Sequence, residues 1–315
     1  MGADRILILV LNYNGRRLLA ECLPSIVFAA ARSPRPCSVA VIDNESDDDS
    51  IDYLKENWPS LRVFREPNRG LASFNSVLRR VDEPVVLLLN NDVKLDPDAV
   101  EPLVRVFEEK NDAFFSAPLC WDFNGTVYEG MRTRVGFRFG ITRGLCRVPG
   151  YERSITLADL TAAAGPILAV DRLKFLELDG YDPLFFPGRI EDLDLGFRAW
   201  MAGFRGYYVP ESVAFHRGFG SFEPAFGQQG CDRLALRNTL LFSWKNLAGP
   251  RLIAHLSWLP VRVAHALCLG RFGSLSAVVS ALSRLQRVLE SRRSRRVGLD
   301  DWIVRQEAFY HRFKW

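Results

Sequence analysis

The residues of this chain best equipped for chemistry are carboxylates that close apolar runs. Val85-Val86-Leu87-Leu88-Leu89 leads into Asn90-Asn91-Asp92, and Ser38-Val39-Ala40-Val41-Ile42 leads into Asp43-Asn44. An apolar run of that length reads as a buried strand. Its polar end then falls at the carboxyl edge of a sheet, where open α/β folds place their ligands. An Asp held there suits a divalent cation, and Mg²⁺ or Mn²⁺ needs few protein ligands when phosphate oxygens complete the shell. Asp43 suits the N3–H of a pyrimidine, a donor that uracil and thymine carry and cytosine lacks. Since Asn and Asp favour turns for backbone reasons, a plain turn at 90–92 is the alternative.

A second group lies farther along. Asp182, Glu191, Asp192 and Asp194 fall within 13 residues, beside Tyr181, Phe185 and Phe186. Aromatic faces next to carboxylates make a platform for a sugar, whose C–H faces stack and whose hydroxyls need acceptors. The plainer reading is acids that favour the positive end of a helix dipole. His216 ends an apolar stretch and is either a structural residue or a ligand. Asn68-Arg69-Gly70 puts an Arg and small residues where a helix begins, a favourable place for phosphate or simply an N-cap.

The elements that must position these groups alternate. Strands are expected at 6–11, 38–42, 61–64 and 85–89, with helices at 16–31, about 50–57 and 70–80. This order implies an α/β, doubly wound, mostly parallel sheet flanked by helices. Asn12, Asp43 and Asp92 would then line one edge. No G-x-G-x-x-G follows the first strand and no P-loop occurs, which removes the common dinucleotide and NTP fingerprints.

With 315 residues, 48% hydrophobic and 25% charged, the chain reads as an ordinary globular enzyme. The six cysteines include no C-x-x-C pair, arguing against zinc or a disulfide framework and for a reducing, cytoplasmic setting. The first apolar run is too short for a signal peptide. Net charge is +4, yet residues 250–315 alone carry +8. Two regions are therefore expected, 1–246 with the sites and 247–315 as a basic helical extension. Leu285, Val288 and Leu289 among Arg284, Arg287, Arg292, Arg293, Arg295 and Arg296 suggest an amphipathic helix on the inner face of an anionic membrane. The alternative is a solvated helix packed on its own domain. A nucleic-acid partner is not expected, as no binding motif occurs.

Taken together these residues resemble the family 2 glycosyltransferases of GT-A fold, over about residues 6–246. The resemblance is carried by Leu11-Asn12-Tyr13-Asn14-Gly15, Val41-Ile42-Asp43-Asn44-Glu45-Ser46-Asp47-Asp48, Asn68-Arg69-Gly70, Leu89-Asn90-Asn91-Asp92, Gly165, Gly180-Tyr181-Asp182, Glu191-Asp192-Leu193-Asp194 and His216. Among family members the chain is most similar to rhamnosyltransferase-like enzymes of bacterial surface polysaccharides. The resemblance implies a UDP- or dTDP-sugar donor, held by Asn12, Asn14, Asp43, Asn68, Arg69, Gly70 and Asn91. It implies a metal on Asp92 and His216, with Asn90 standing where the family's DxD motif has its first acid. Asp192 would be the catalytic base of a single inverting displacement, and Tyr181, Asp182, Glu191 and Asp194 would meet the sugar or acceptor. The processive members carry Gln-x-x-Arg-Trp and several membrane spans. This chain has neither, which implies addition of one or a few sugars to a glycan or lipid-linked acceptor. An inactive nucleotide-sugar-binding protein and a sugar-phosphate nucleotidyltransferase are the competing readings.

Overall fold

The computed structural model of the protein describes residues 4–218, 222–295 and 297–315. The first third repeats strand and helix: β1 (Ile6–Asn12), α1 (Arg16–Arg32), β2 (Cys37–Asp43), α2 (Ser50–Asn57), β3 (Arg62–Arg65), α3 (Ser73–Leu78) and β4 (Val85–Asn90). These strands lie parallel in the order β4-β1-β2-β3. Ile8, Leu9, Val86, Leu87 and Leu89 are completely enclosed. Strands covered on both faces show continuous apolar runs instead of alternation, which is what made them readable. The register sets Asn12 opposite Asp43 and Leu11 opposite Asn90, so the polar ends share one edge.

The helix expected over 70–80 is shorter. A single 3₁₀ turn, Gly70–Ala72, precedes the six residues of α3. Gly70 has φ +57°, outside the helical region, so the helix starts only beyond it.

Past β4 the regular repeat ends. The chain adds β5 (Val93–Leu95), α4 (Val100–Glu109), β6 (Ala113–Trp121), β7 (Tyr128–Gly130), the hairpin β8 (Arg134–Arg138) and β9 (Ile141–Leu145), and β10 (Asp159–Leu160). Then follow β11 (Ile167–Asp171), α5 (Arg172–Glu177), α6 (Glu191–Met201) and β12 (Arg205–His216). β11 enters between β4 and β6, antiparallel to both, and β12 lies parallel to β6. The sheet is thus parallel across the half that carries Asn12, Asp43 and Asp92, and mixed beyond it. Five enclosed residues such as Ile167-Leu168-Ala169-Val170-Asp171 carry no mark of strand direction.

The remaining helices are α7 (Phe222–Asn246, broken at Gly227), α8 (Gly249–Cys268), α9 (Phe272–Leu282), α10 (Leu285–Arg293) and α11 (Leu299–Arg312). They share a second hydrophobic core with α6 and the β8–β9 hairpin. Phe197 of α6 meets Phe309 at 5.0 Å and Phe242 at 5.6 Å between ring centres. The amide of Val135 donates to the carbonyl of Phe313 at 2.7 Å.

The basic run at 284–296 serves packing in part, which corrects the picture of a free amphipathic helix. Arg284 donates to the carbonyl of Leu184 at 2.6 Å, and Arg292 to those of Trp244 and Leu247 at 2.7 and 2.8 Å. Arg295 donates to the carbonyl of Lys245, and Val288 is buried. Arg296 lies outside the described residues. A guanidinium reaches backbone carbonyls as readily as it reaches phosphate, and sequence does not separate the two uses. Among the described residues no helix is long and apolar enough to cross a membrane.

Candidate active site

At the carboxyl edge of the parallel strands, Asn12 ties three strand ends together. Its Nδ2 donates to Asp43 Oδ1 at 3.3 Å and Ser46 Oγ at 3.2 Å, and its Oδ1 accepts from Asn91 Nδ2 at 2.8 Å. Both amides are buried, so Asn12 and Asn91, expected to touch nucleotide, instead hold Asp43 and the turn that follows β4. Gly15 belongs to this lock, because a Cβ there would stand 1.9 Å from Asn91 Nδ2 and 2.5 Å from Asn12 Oδ1. Asn14 sits at φ 47°; its amide donates to Ser46 Oγ at 2.9 Å and its Oδ1 accepts from the amide of Asp47 at 2.9 Å.

The 68–70 loop is built the same way. Asn68 Oδ1 accepts from the amide of Gly70 at 3.1 Å, while Asn44 Nδ2 donates to the carbonyl of Gly70 at 3.3 Å. A side chain on Gly70 would press on the carbonyl of Pro187 at 3.0 Å, so the loop abuts the segment before α6. Arg69 shares one cleft with Asp182, Phe186, Pro187, Gly188 and Glu191.

Asp92 lies in the β4–β5 turn and His216 ends β12, which pairs with β5. Their approach is 3.5 Å, Asp92 Oδ2 to His216 Nε2. On the other side of the ring, Nδ1 is 3.7 Å from Glu129 Oε2 in β7. Burial disfavours the imidazolium, but the two carboxylates outweigh it and lift His216 to about 9. The same contact with His216 holds Glu129 below the usual carboxylate range. Glu129 was not anticipated, since its only sequence signal is an acid inside a short strand before a glycine. Asp92 Oδ1 is buried and has no hydrogen-bond partner. A buried carboxylate oxygen without a partner, beside a histidine, fits a metal cation that would take the place of the His216 proton. Among the described residues no three His, Cys, Asp or Glu side chains form a ready cage, so Asp92 and His216 would share a metal with ligand oxygens.

The third group surrounds the start of α6. Arg189 and Ile190 both have positive φ, 80° and 73°, a conformation L-residues adopt at a cost and keep only when neighbours impose it. Asn238 of α7 does so, donating to the carbonyls of Phe185 and Gly188 at 2.7 Å and Arg189 at 2.9 Å. The turn delivers Asp192 half-buried, with Oδ1 accepting from the Tyr181 hydroxyl at 3.4 Å. Burial, and next the charge of Glu191, push the Asp192 carboxyl well above its ordinary range. Burial raises Glu191 to about 7, and its Oε2 has no partner.

The other members of this group differ from expectation. Tyr181 is buried with its ring against Phe74 and Phe175, and its hydroxyl is spent on Asp192. Asp194 is 0% exposed. It accepts from Asn246 at 2.7 Å, from Lys245 at 2.9 Å and from Arg198 at 2.7 Å. These cations hold it down to about 2 despite burial, and it anchors the helix instead of meeting a sugar. Asp182 is engaged by the same Lys245 at 2.6 Å, and its Oδ1 caps Leu184 at 2.8 Å. Lys245, a buried cation joining the two acids, had no sequence signal.

A sheet parallel at one edge and mixed beyond it, with an acid–imidazole pair and a carboxylate-lined cleft, has the architecture of the GT-A glycosyltransferase fold. In fold it is similar to the crystal structure of GalNAc-T7 with UDP, GalNAc and Mn²⁺, with TM-score 0.56 and 20% identity over 76% of this chain and 48% of that one. It is similar also to S. aureus TarS 1–349 in complex with UDP-GlcNAc, with TM-score 0.55 and 13% identity over 98% of this chain and 92% of that one. Residues 7–157 match the model of Glycosyl transferase family 2. A relative is the N-acetylglucosaminyl-diphospho-decaprenol L-rhamnosyltransferase of Mycobacterium tuberculosis, 25% identical over 240 residues, 68% of this chain and 76% of that protein. Another is rhamnosyltransferase WbbL of Escherichia coli, 27% identical over 158 residues, 47% of this chain and 58% of that protein. Residues 7–157 of this chain are thus a glycosyl transferase family 2 region, and rhamnosyltransferases stand among its relatives.

Proposed function

We propose that this enzyme moves a sugar, rhamnose by preference, from a dTDP- or UDP-linked donor to a hydroxyl of a lipid-linked or cell-surface glycan, with inversion and without a covalent intermediate. The observation that carries this reading is Asp192, a half-buried carboxylate of raised proton affinity beside the cleft that holds Arg69. Such a group, once ionised, is a stronger base toward an acceptor hydroxyl than an ordinary carboxylate. In a single displacement the hydroxyl oxygen forms the bond to the anomeric carbon, Asp192 takes its proton, and nucleoside diphosphate leaves. Asp43 would accept from the base, and Arg69 would face the diphosphate. Asp92 and His216 would hold Mg²⁺ or Mn²⁺, which when bound neutralises charge on the departing diphosphate. The diphospho-decaprenol in the name of the mycobacterial relative supports a lipid-linked acceptor, and the names of both relatives support rhamnose.

The test is initial-rate transfer from dTDP-rhamnose and UDP-sugars to a short-chain diphosphopolyprenyl acceptor. Asp192→Asn should lower kcat by about 10²–10⁴-fold with donor affinity nearly unchanged, as expected for loss of a general base. Equal turnover by the variant would overturn the assignment. Chelation of divalent metal should abolish donor binding measured by calorimetry, with recovery on adding Mn²⁺.

A further inference from the structure

The solvent face of α8 and α9 is built from residues that do not suit water. Ile253, Leu256, Val261 and Leu267 recur on α8 and are each at least half exposed, while Phe272 and Val279 of α9 are 71% and 66% exposed. The fully buried positions of the same two helices are His255, Ala266, Ala277 and Ala281, small or polar side chains. A helix on a soluble domain normally turns its larger apolar residues inward. Leu252, Leu259 and Val278 follow that order and pack on the second core, but the six equally large residues named above stand outward, and an exposed patch of this kind marks an interaction surface.

The charged side chains that α8 and α9 themselves carry have one sign, although Arg251 is paired with Glu307 of α11 at 2.7 Å. Between Asp232 and Glu290 the chain has no acidic side chain, whereas Arg262, Arg271 and Arg287 all lie in that interval. A second copy is a poor occupant, because a two-fold contact would set these arginines against themselves. Neither helix is able to span a bilayer. Apolar side chains ringed by cations, on helices too short or too interrupted to cross, suit the headgroup layer of an anionic membrane. The patch also adjoins the chemistry. Arg284, between α9 and α10, donates to the carbonyls of Leu184 and Phe186, and Phe186 lines the cleft with Glu191.

We propose that α8 and α9 lie in the interface of an anionic phospholipid bilayer, apolar faces toward the acyl chains, and that they, more than the arginine run at 284–296, hold the enzyme on the membrane. The inference rests on the transferase reading for its purpose, delivery of a lipid-linked acceptor to the cleft. The binding measurement that tests it needs neither donor nor acceptor.

The full chain is floated with vesicles of phosphatidylcholine containing phosphatidylglycerol and with phosphatidylcholine alone, at low and high salt. The triple variant Ile253→Ser, Phe272→Ser, Val279→Ser changes exposed side chains only, and an unchanged melting curve confirms its fold. The expected result is anionic-vesicle binding by the parent chain, weakened about tenfold or more in the triple variant through lost apolar burial. Arg287→Gln with Arg293→Gln should weaken it less. The proposal is overturned if the parent chain does not float, if the triple variant floats equally well, if the arginine pair matters more, or if the triple variant alters only self-association. Transfer to a water-soluble acceptor by the triple variant separates this outcome from failure of the transferase reading, since that reading fails only if no chain transfers sugar.

Discussion

Asp192 and Glu191 hold protons that ordinary carboxylates release. Glu191 moves from 4.5 to about 7 through burial, and Asp192 rises through burial and the charge of Glu191. Between 4.5 and about 7 the folded pair binds protons that the unfolded chain has shed, so its stabilising contribution is complete below that window and declines as pH rises through it. Catalysis has the opposite requirement, because a base must be ionised. We therefore expect the acid limb of kcat/KM to lie above the ordinary carboxylate range in a pH–rate profile. Glu191→Gln removes the neighbouring charge and should shift that limb to lower pH; a limb that stays in place would show that Glu191 does not act on Asp192. The Tyr181 hydroxyl favours the ionised form of Asp192 by donating to it.

At the scale of elements, α6 separates a site from its foundation. Residues two apart on an α-helix point about 200° away from each other, so Asp194 toward the interior leaves Asp192 on the opposite, half-buried side. Asp194→Ala should cost about 3–5 kcal/mol in denaturant unfolding, because Lys245 and Arg198 would be left as buried, poorly paired cations. The sign is that of a depressed acid. Its contribution is present above 3.8 and is lost as pH falls toward about 2. The helical period was available in the sequence, and it alone would have turned Asp194 inward. Asn12, Asp43 and Asp92 were readable because each closes an apolar strand. That two of the neighbouring amides would be consumed by one another was not, since the Asn12–Asn91 bond joins segments that only folding brings together. Glu129 was hidden for the same reason, as its partner His216 comes from a distant strand.

For the molecule as a whole, the basic extension and the catalytic region share one core. Charge counting drew a boundary near residue 246, but side-chain packing crosses it: Trp200 of α6 meets Phe309 and Phe313, and its indole donates to the carbonyl of Arg305 at 3.0 Å. Phe309→Ala should therefore cost about 3–5 kcal/mol and lower activity as well, with a single melting transition by calorimetry. Two transitions, the first leaving donor binding intact, would mean that the regions unfold independently. Composition reports which side chains are present, and it is silent on which of them interlock. The shared aromatic core also has an evolutionary consequence. Joining residues 1–246 to a foreign helical tail would leave the rings behind α6 without matching partners, so the helix and its tail must be inherited together instead of being exchanged as modules.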